Sequence, residues 1–184
     1  MPTKNLHKFL FNQLPVRGAL IQLADPWREA LQRRAAVGAF PSPVRSLLGE
    51  MVAAAVLMQS SIKFDGTLIL QIHGDGPVKL AVAEATSGLA FRATAKVIEA
   101  FADHASLAEM VNVHGQGRCV ITLDPKARTP GSPPYQGVVP LYGDQREPLN
   151  ALSQVIEHYM LQSCLLYTSP SPRDRTRSRM PSSA

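Results

Sequence analysis

Long apolar runs are the first thing missing from this chain of 184 residues. The longest, Val52 to Met58, falls far short of the roughly 20 residues needed to cross a bilayer, and the first residues carry no apolar stretch of the signal-peptide kind. The expectation is therefore a soluble, cytoplasmic chain with no membrane partner. Cysteine is scarce. Cys119 and Cys164 could make one bridge at most, and no CxxC or Cys/His pair stands at metal-ligand spacing, which excludes a disulfide scaffold or a zinc finger. His7, His73, His104, His114 and His158 show neither HxxxH nor HExxH spacing, so no metal or other cofactor is expected in this chain.

Acidic residues are too few to balance the basic ones, and the net charge of +5 invites a nucleic-acid reading. The distribution of that charge argues against it. Arg173, Arg175, Arg177 and Arg179 stand against Asp174 alone near the C-terminus, which leaves only about +2 for everything before them. No basic stripe of the kind that counterion release requires is left, and no aromatic-rich RNA signature accompanies it. No nucleic-acid partner is expected.

What is present is a mixed pattern with enough apolar residues, 45% against 18% charged, to bury one core. Apolar runs at Leu6–Phe11 and Val16–Leu23 flank Pro15 and Gly18 and read as two strands with a bend between them. Asp25-Pro26 reads as a helix cap followed by proline at the first helical position, with Gly38 closing that helix. A longer, buried helix is predicted from Val44 to about Ser61, its alanines Ala53, Ala54 and Ala55 allowing close approach to a neighbour. After Lys63-Phe64-Asp65-Gly66 the period becomes alternating. TLILQIH, then Gly74-Asp75-Gly76-Pro77, then VKLAVAEA read as a hairpin, with Leu68, Leu70 and Ile72 on one face. A strand at Phe91–Val97, a short helix at Leu107–Val111, and strands RCVITLD and YQGVVPLYG across a proline-rich loop follow. Pro148 and Leu149 open a last helix bearing Leu152, Val155, Ile156, Tyr159 and Met160. The class is α+β, with mostly antiparallel sheets packed against helices.

Chemistry is thin along this pattern. Gly74-Asp75-Gly76 joins two strands and is no phosphate cradle; Asp-Gly there supplies the positive φ of a tight turn. Gly115-Gln116-Gly117 is likewise a turn, and Asp65 and Asp75 are both explained by turn chemistry. Cys119 beside His114 or His104 could act as nucleophile and base, but its alternation with Ile121 and Leu123 reads as an inert, half-buried thiol. No active site emerges, so no enzyme is expected.

Several segments taken in order are more specific. VRG at Val16, FPSPV at Phe40, LLGE at Leu47, IKFDG at Ile62, GDGP at Gly74, RATAKV at Arg92, CVITLD at Cys119, YQGVV at Tyr135 and HYMLQS at His158 together resemble the N-terminal part of the 33 kDa heat-shock chaperonin family. The resemblance covers residues 1–163. It implies an ATP-independent holdase that binds unfolding client proteins under oxidative or heat stress. It also implies a zinc- and disulfide-based redox switch in a C-terminal domain whose four cysteines are absent here, and a homodimer is among the assemblies of the full-length family. No redox or metal residue is carried over. Residues 1–163 are thus expected to be a chaperone core domain, incomplete, and residues 164–184 a tail without a fold that resembles a translated sequencing adaptor.

Alternation assigns Leu68, Leu70 and Ile72 to the long helix and leaves Ile69, Gln71 and His73 on the opposite face, where they are the candidate client-binding residues. The alternatives are a basic nucleic-acid-binding module and a Cys119-dependent enzyme. The composition break after Ser163 predicts a truncated reading frame. Resequencing the source locus across the Ser163 codon is expected to reveal a longer frame with a C-terminal CxC and CxxC; a genomic CLLYTSPSPRD followed by a stop codon would refute it.

Overall fold

The computed structural model describes residues 6–14, 16–127 and 133–163. Two short strands come first, β1 (Leu6–Leu10) and β2 (Arg17–Ile21), paired antiparallel with Leu6 opposite Ile21. The hairpin needs Gly18, because the Phe9 ring lies against it and a Cβ there would sit 2.3 Å from that ring. Helix α1 (Ala24–Ala35) follows. Its N-cap is Leu23 instead of the expected Asp25, which stands inside the first turn and pairs with Arg28 at 3.0 Å. Gly38 adopts φ +123° just beyond the helix end, the left-handed geometry that suits glycine.

Helix α2 (Ser42–Ser61) starts two residues before the predicted Val44, with Pro43 in its first turn, where a missing N–H costs nothing. It is the buried centre of the molecule, with Val44, Leu47, Leu48, Met51, Val52, Ala55 and Val56 all inside the core.

The remaining strands form one sheet in the order β5-β4-β3-β6-β7, every pair antiparallel. These are β3 (Gly66–His73), β4 (Val78–Thr86), β5 (Phe91–Val97), β6 (Arg118–Pro125) and β7 (Tyr135–Pro140). The five-residue helix α3 (Leu107–Val111) precedes β6 and is closed by a Ser106/Glu109 capping box. The last helix, α4 (Leu152–Gln162), begins later than the predicted Pro148, because Pro148 is engaged in a β-bridge with Tyr142.

Helix α2 packs chiefly on β4, and less on β5 and β3. Leu68, Leu70 and Ile72 of β3 are fully buried on that same side, as alternation predicts. Helix α4 covers the β7 end, where the Tyr159 ring lies against Gly137 and leaves no room for a Cβ. Trp27 of α1 packs against Gly49 of α2, and β2 also touches α2. The helices α1, α2 and α4 and the β1–β2 hairpin are thus gathered on, or behind, one face of the sheet.

The β3–β4 connection corrects one expectation. Neither Gly74 nor Gly76 has positive φ. Both are glycine because their surroundings leave no room for a Cβ: at Gly74 it would lie 2.0 Å from the Val78 carbonyl oxygen across the turn and 3.1 Å from Val111, and at Gly76 it would lie 2.8 Å from the Met110 carbonyl oxygen of α3. Asp75 fastens the contact. Its Oδ2 accepts from the backbone N–H groups of His114 (3.1 Å) and Gln116 (2.7 Å), and its own N–H donates to Val111. One layer further in, buried Asn112 donates to the Leu141 carbonyl and accepts from the Gly117 N–H, each at 2.9 Å. Replacing Asn112 by alanine would strand the buried Gly117 N–H, whereas the Leu141 carbonyl would keep the bond it accepts from the Leu149 N–H. Asn112→Ala is therefore expected to cost about 1–3 kcal/mol in chemical denaturation, against ~0.5 kcal/mol for an exposed control such as Gln116→Ala.

Candidate functional site

The face of the sheet turned away from α2 is built by register. Ile69, Gln71 and His73 lie side by side along β3, each half-buried. Cross-strand pairs in an antiparallel sheet share a face, so three rows can be read across it from the candidate residues, and a fourth, Thr86, Thr67 and Asp124, lies beyond the first. The first runs Arg92, Glu84, Ile69, Thr122, Gln136; the second Thr94, Val82, Gln71, Val120, Val138; the third Lys96, Leu80, His73, Arg118, Pro140. The apolar members Ile69, Leu80, Val82, Val120 and Val138 form a band through the middle. Val120 and Thr122 are nearly buried between their neighbours, whereas Val138 on the edge strand is 58% exposed. In the first row Arg92 and Glu84 pair at 2.6 Å.

Four of these apolar residues escape a sequence reading, two because of a bulge and two because only pairing places them. The register between β4 and β5 shifts between Val78 and Leu80, so Val78 and Ala81 both point inward and the phase of VKLAVAEA inverts midway. The strand buries its alanines and turns Leu80 and Val82 outward, the reverse of what side-chain size suggests. Val120 and Val138 are placed only by their pairing, which a single sequence does not display.

The other candidates do not converge. Cys119 is fully buried on the α2 side of β6, opposite Ile72 on one neighbouring strand and Val139 on the other. His114 and His104, its imagined bases, are exposed. Burial pushes the Cys119 thiol up to about 12, which keeps it protonated and works against a nucleophilic role at neutral pH. His7 lies on β1, and His158 meets Gln162 on α4. Asp65 accepts from the Ser87 hydroxyl at 2.9 Å, a loop clip. Among the described residues no group of three His, Cys, Asp or Glu side chains could hold a metal ion. The residues present therefore do not fit the zinc that the chaperonin resemblance implies for a C-terminal domain. Cys164 and the arginine-rich tail lie outside the described residues.

A cavity of about 290 Å³ opens elsewhere, between the start of α2, α3 and the segment before α4. Glu50, Asp103 and His104 are on its wall, and burial raises the Glu50 carboxyl, but no hydrogen bond joins the three. No helix among the described residues is long and apolar enough to cross a membrane.

These features define an α+β domain layered on one side of a single antiparallel sheet, with a broad, mixed-polarity surface on the other. The comparison with known proteins is specific. The family model described as "Hsp33 protein" matches residues 4–169. The "33 kDa chaperonin" of Chromobacterium violaceum is 43% identical over 89% of this chain and 51% of its own length. Those of Methylobacillus flagellatus and Vibrio cholerae are 40% and 37% identical, over 86% and 91% of this chain. The crystal structure of the 33 kDa chaperonin from Thermotoga maritima superposes with a TM-score of 0.67 at 20% identity, over 89% of this chain and 52% of that one. The chain belongs to the Hsp33 family. It spans about half the length of the curated relatives it matches.

The buried thiol yields a test. The unfolded thiol ionises near 9 and the folded one near 12, so above pH 9 the unfolded state holds fewer protons and stability falls as pH rises. Over pH 9–12 Cys119 is expected to contribute a decline of up to about 1.4 kcal/mol per pH unit. In Cys119→Ala that decline should be correspondingly shallower in urea titrations, and native Cys119 should resist alkylation at pH 8 until the chain unfolds.

Proposed function

We propose that this chain is the client-holding part of an ATP-independent chaperone that keeps unfolding proteins from aggregating under oxidative or heat stress in the cytoplasm. Membership of the Hsp33 family and the name of the relatives, 33 kDa chaperonin, support the chaperone reading. The observation that carries the choice of surface is the far face of the sheet, where Ile69, Leu80, Val82, Val120 and Val138 form an apolar band that no described helix overlies. Unfolded segments expose apolar side chains, and a half-buried band of this kind removes part of them from water without any chemical step. Gln71 and His73 add hydrogen-bonding groups beside the band. Zinc and the redox switch belong, in this reading, to the remainder of the full-length protein.

An enzyme reading would need Cys119, whose thiol is sealed in the core. A nucleic-acid reading would rest on the arginines of the tail, and deleting residues 164–184 isolates that contribution.

Added without nucleotide to a thermally unfolding client, the chain is expected to suppress light scattering at near-stoichiometric amounts. Ile69→Asp should weaken suppression at least several-fold while its circular dichroism stays native. Full suppression by a folded Ile69→Asp protein would remove the far face from the proposal, and substrate turnover abolished by Cys119→Ser would replace it with the enzyme.

A further inference from the structure

The charges on the far face are not evenly placed. At one end the cation of the rows, Arg92, is neutralised by Glu84 at 2.6 Å, and the acid Asp124 lies one row beyond. At the other, the row Lys96, Leu80, His73, Arg118, Pro140 carries two cations and an imidazole and no acid. Lys96 and Arg118 are exposed and make no ion pair among the described residues. Asp75, in the adjoining turn, is held by the backbone N–H groups of His114 and Gln116, and Glu99 lies beyond the end of β5. Lys96 and Arg118 stand three strands apart, about 14 Å, with His73 between them. The neutral and cationic rows are separated by four residues of β3, about 13 Å, which is the width of the apolar band.

We propose that this asymmetry selects the client: the far face takes extended segments in which an apolar stretch runs into acidic residues, the apolar part lying on Ile69, Val82, Val120 and Val138 and the acidic part on the Lys96–Arg118 row. The proposal rests on the reading of this face as the holding surface and adds the class of segment held. Apolar contact supplies most of the affinity. The cationic row supplies orientation and discrimination, because a lysine-rich segment would meet like charge there.

The test uses the full chain and two labelled peptides that share a six-residue Val/Ile/Thr stretch, one ending in three aspartates and the other in three lysines. Fluorescence anisotropy at about 50 mM salt is expected to show the acidic peptide bound about tenfold more tightly, the preference collapsing at about 0.5 M salt through screening. The Lys96→Glu, Arg118→Glu double variant should reverse the preference. Equal affinities at low salt, or a preference untouched by the double variant, would overturn the proposal. Ile69→Asp, with Val138→Asp at an already exposed position in case the first does not fold, separates this failure from that of the underlying reading. Loss of both peptides in these variants with no discrimination in the parent chain sinks only the charge selection. Binding of neither peptide, or binding unaffected by either variant, sinks the holding surface itself. Self-association abolished by the double variant, with no difference between the peptides, would assign the face to a second copy and overturn the proposal as well.

Discussion

Helix α2 can lie close over β4 because that strand turns Ala81, Ala83 and Ala85 inward, all without exposed surface, and β5 continues the row with Ala93 and Ala95. Small side chains under the helix leave the space that its own Leu48, Met51, Val52 and Val56 fill. Away from β4 the inward residues become larger: Leu68, Leu70 and Ile72 on β3, which α2 touches less, then Ile121 on β6 and Val139 on β7, toward Leu152, Val155 and Tyr159 of α4. The sheet's inner surface is therefore graded in side-chain size, and the grading decides where each helix can sit. Removing a methylene from such an interior is felt at once, since close packing leaves little room for relaxation.

The same arrangement forces large apolar residues outward. With alanine assigned to the inside of β4, the bulge between Val78 and Leu80 places Leu80 and Val82 on the other face, next to Ile69 and across from Val120. Asp75 and Asn112 then hold the end of the sheet: one carboxylate and one carboxamide fasten the β3–β4 turn and the β7 end to the loop leading into β6, so the strand ends carrying His73 and Arg118 are fixed relative to one another. The far face is thus supported by a rigid frame.

Much of this was legible in the sequence. Strands Phe91–Val97 and Arg118 onward, the short helix Leu107–Val111 and the inward triplet Leu68, Leu70, Ile72 follow from alternation and turn residues, and all stand where periodicity puts them. The ordered family segments fixed the family, which residues 4–169 match. The misreadings have tertiary causes. Leu23 replaces Asp25 as the cap of α1, a boundary that local side-chain preference does not settle. Gly74 and Gly76 serve close approaches, the first by the Val78 carbonyl across the turn and the second by α3, which is distant in sequence, instead of a turn conformation. Val120 and Val138 join Ile69 on one surface only through pairing, and a bulge hides Leu80 and Val82 from any count of alternation. The thiol of Cys119 was read as half-buried; two flanking strands make it fully so.

Because one strand, β3, contributes Leu68, Leu70 and Ile72 to the core and Ile69, Gln71 and His73 to the opposite surface, its two halves are under separate constraints in evolution. An outward substitution disturbs no packed neighbour behind the sheet and typically changes stability by about half a kcal/mol, whereas an inward truncation costs about 2–5 kcal/mol. The outer residues can drift in charge and size while the inner ones stand still. What cannot drift is the phase of the strand: a one-residue slip would exchange the sets and carry Gln71 and His73 into the core. Variation among descendants of such a chain is thereby channelled toward its outer surface and away from how it folds.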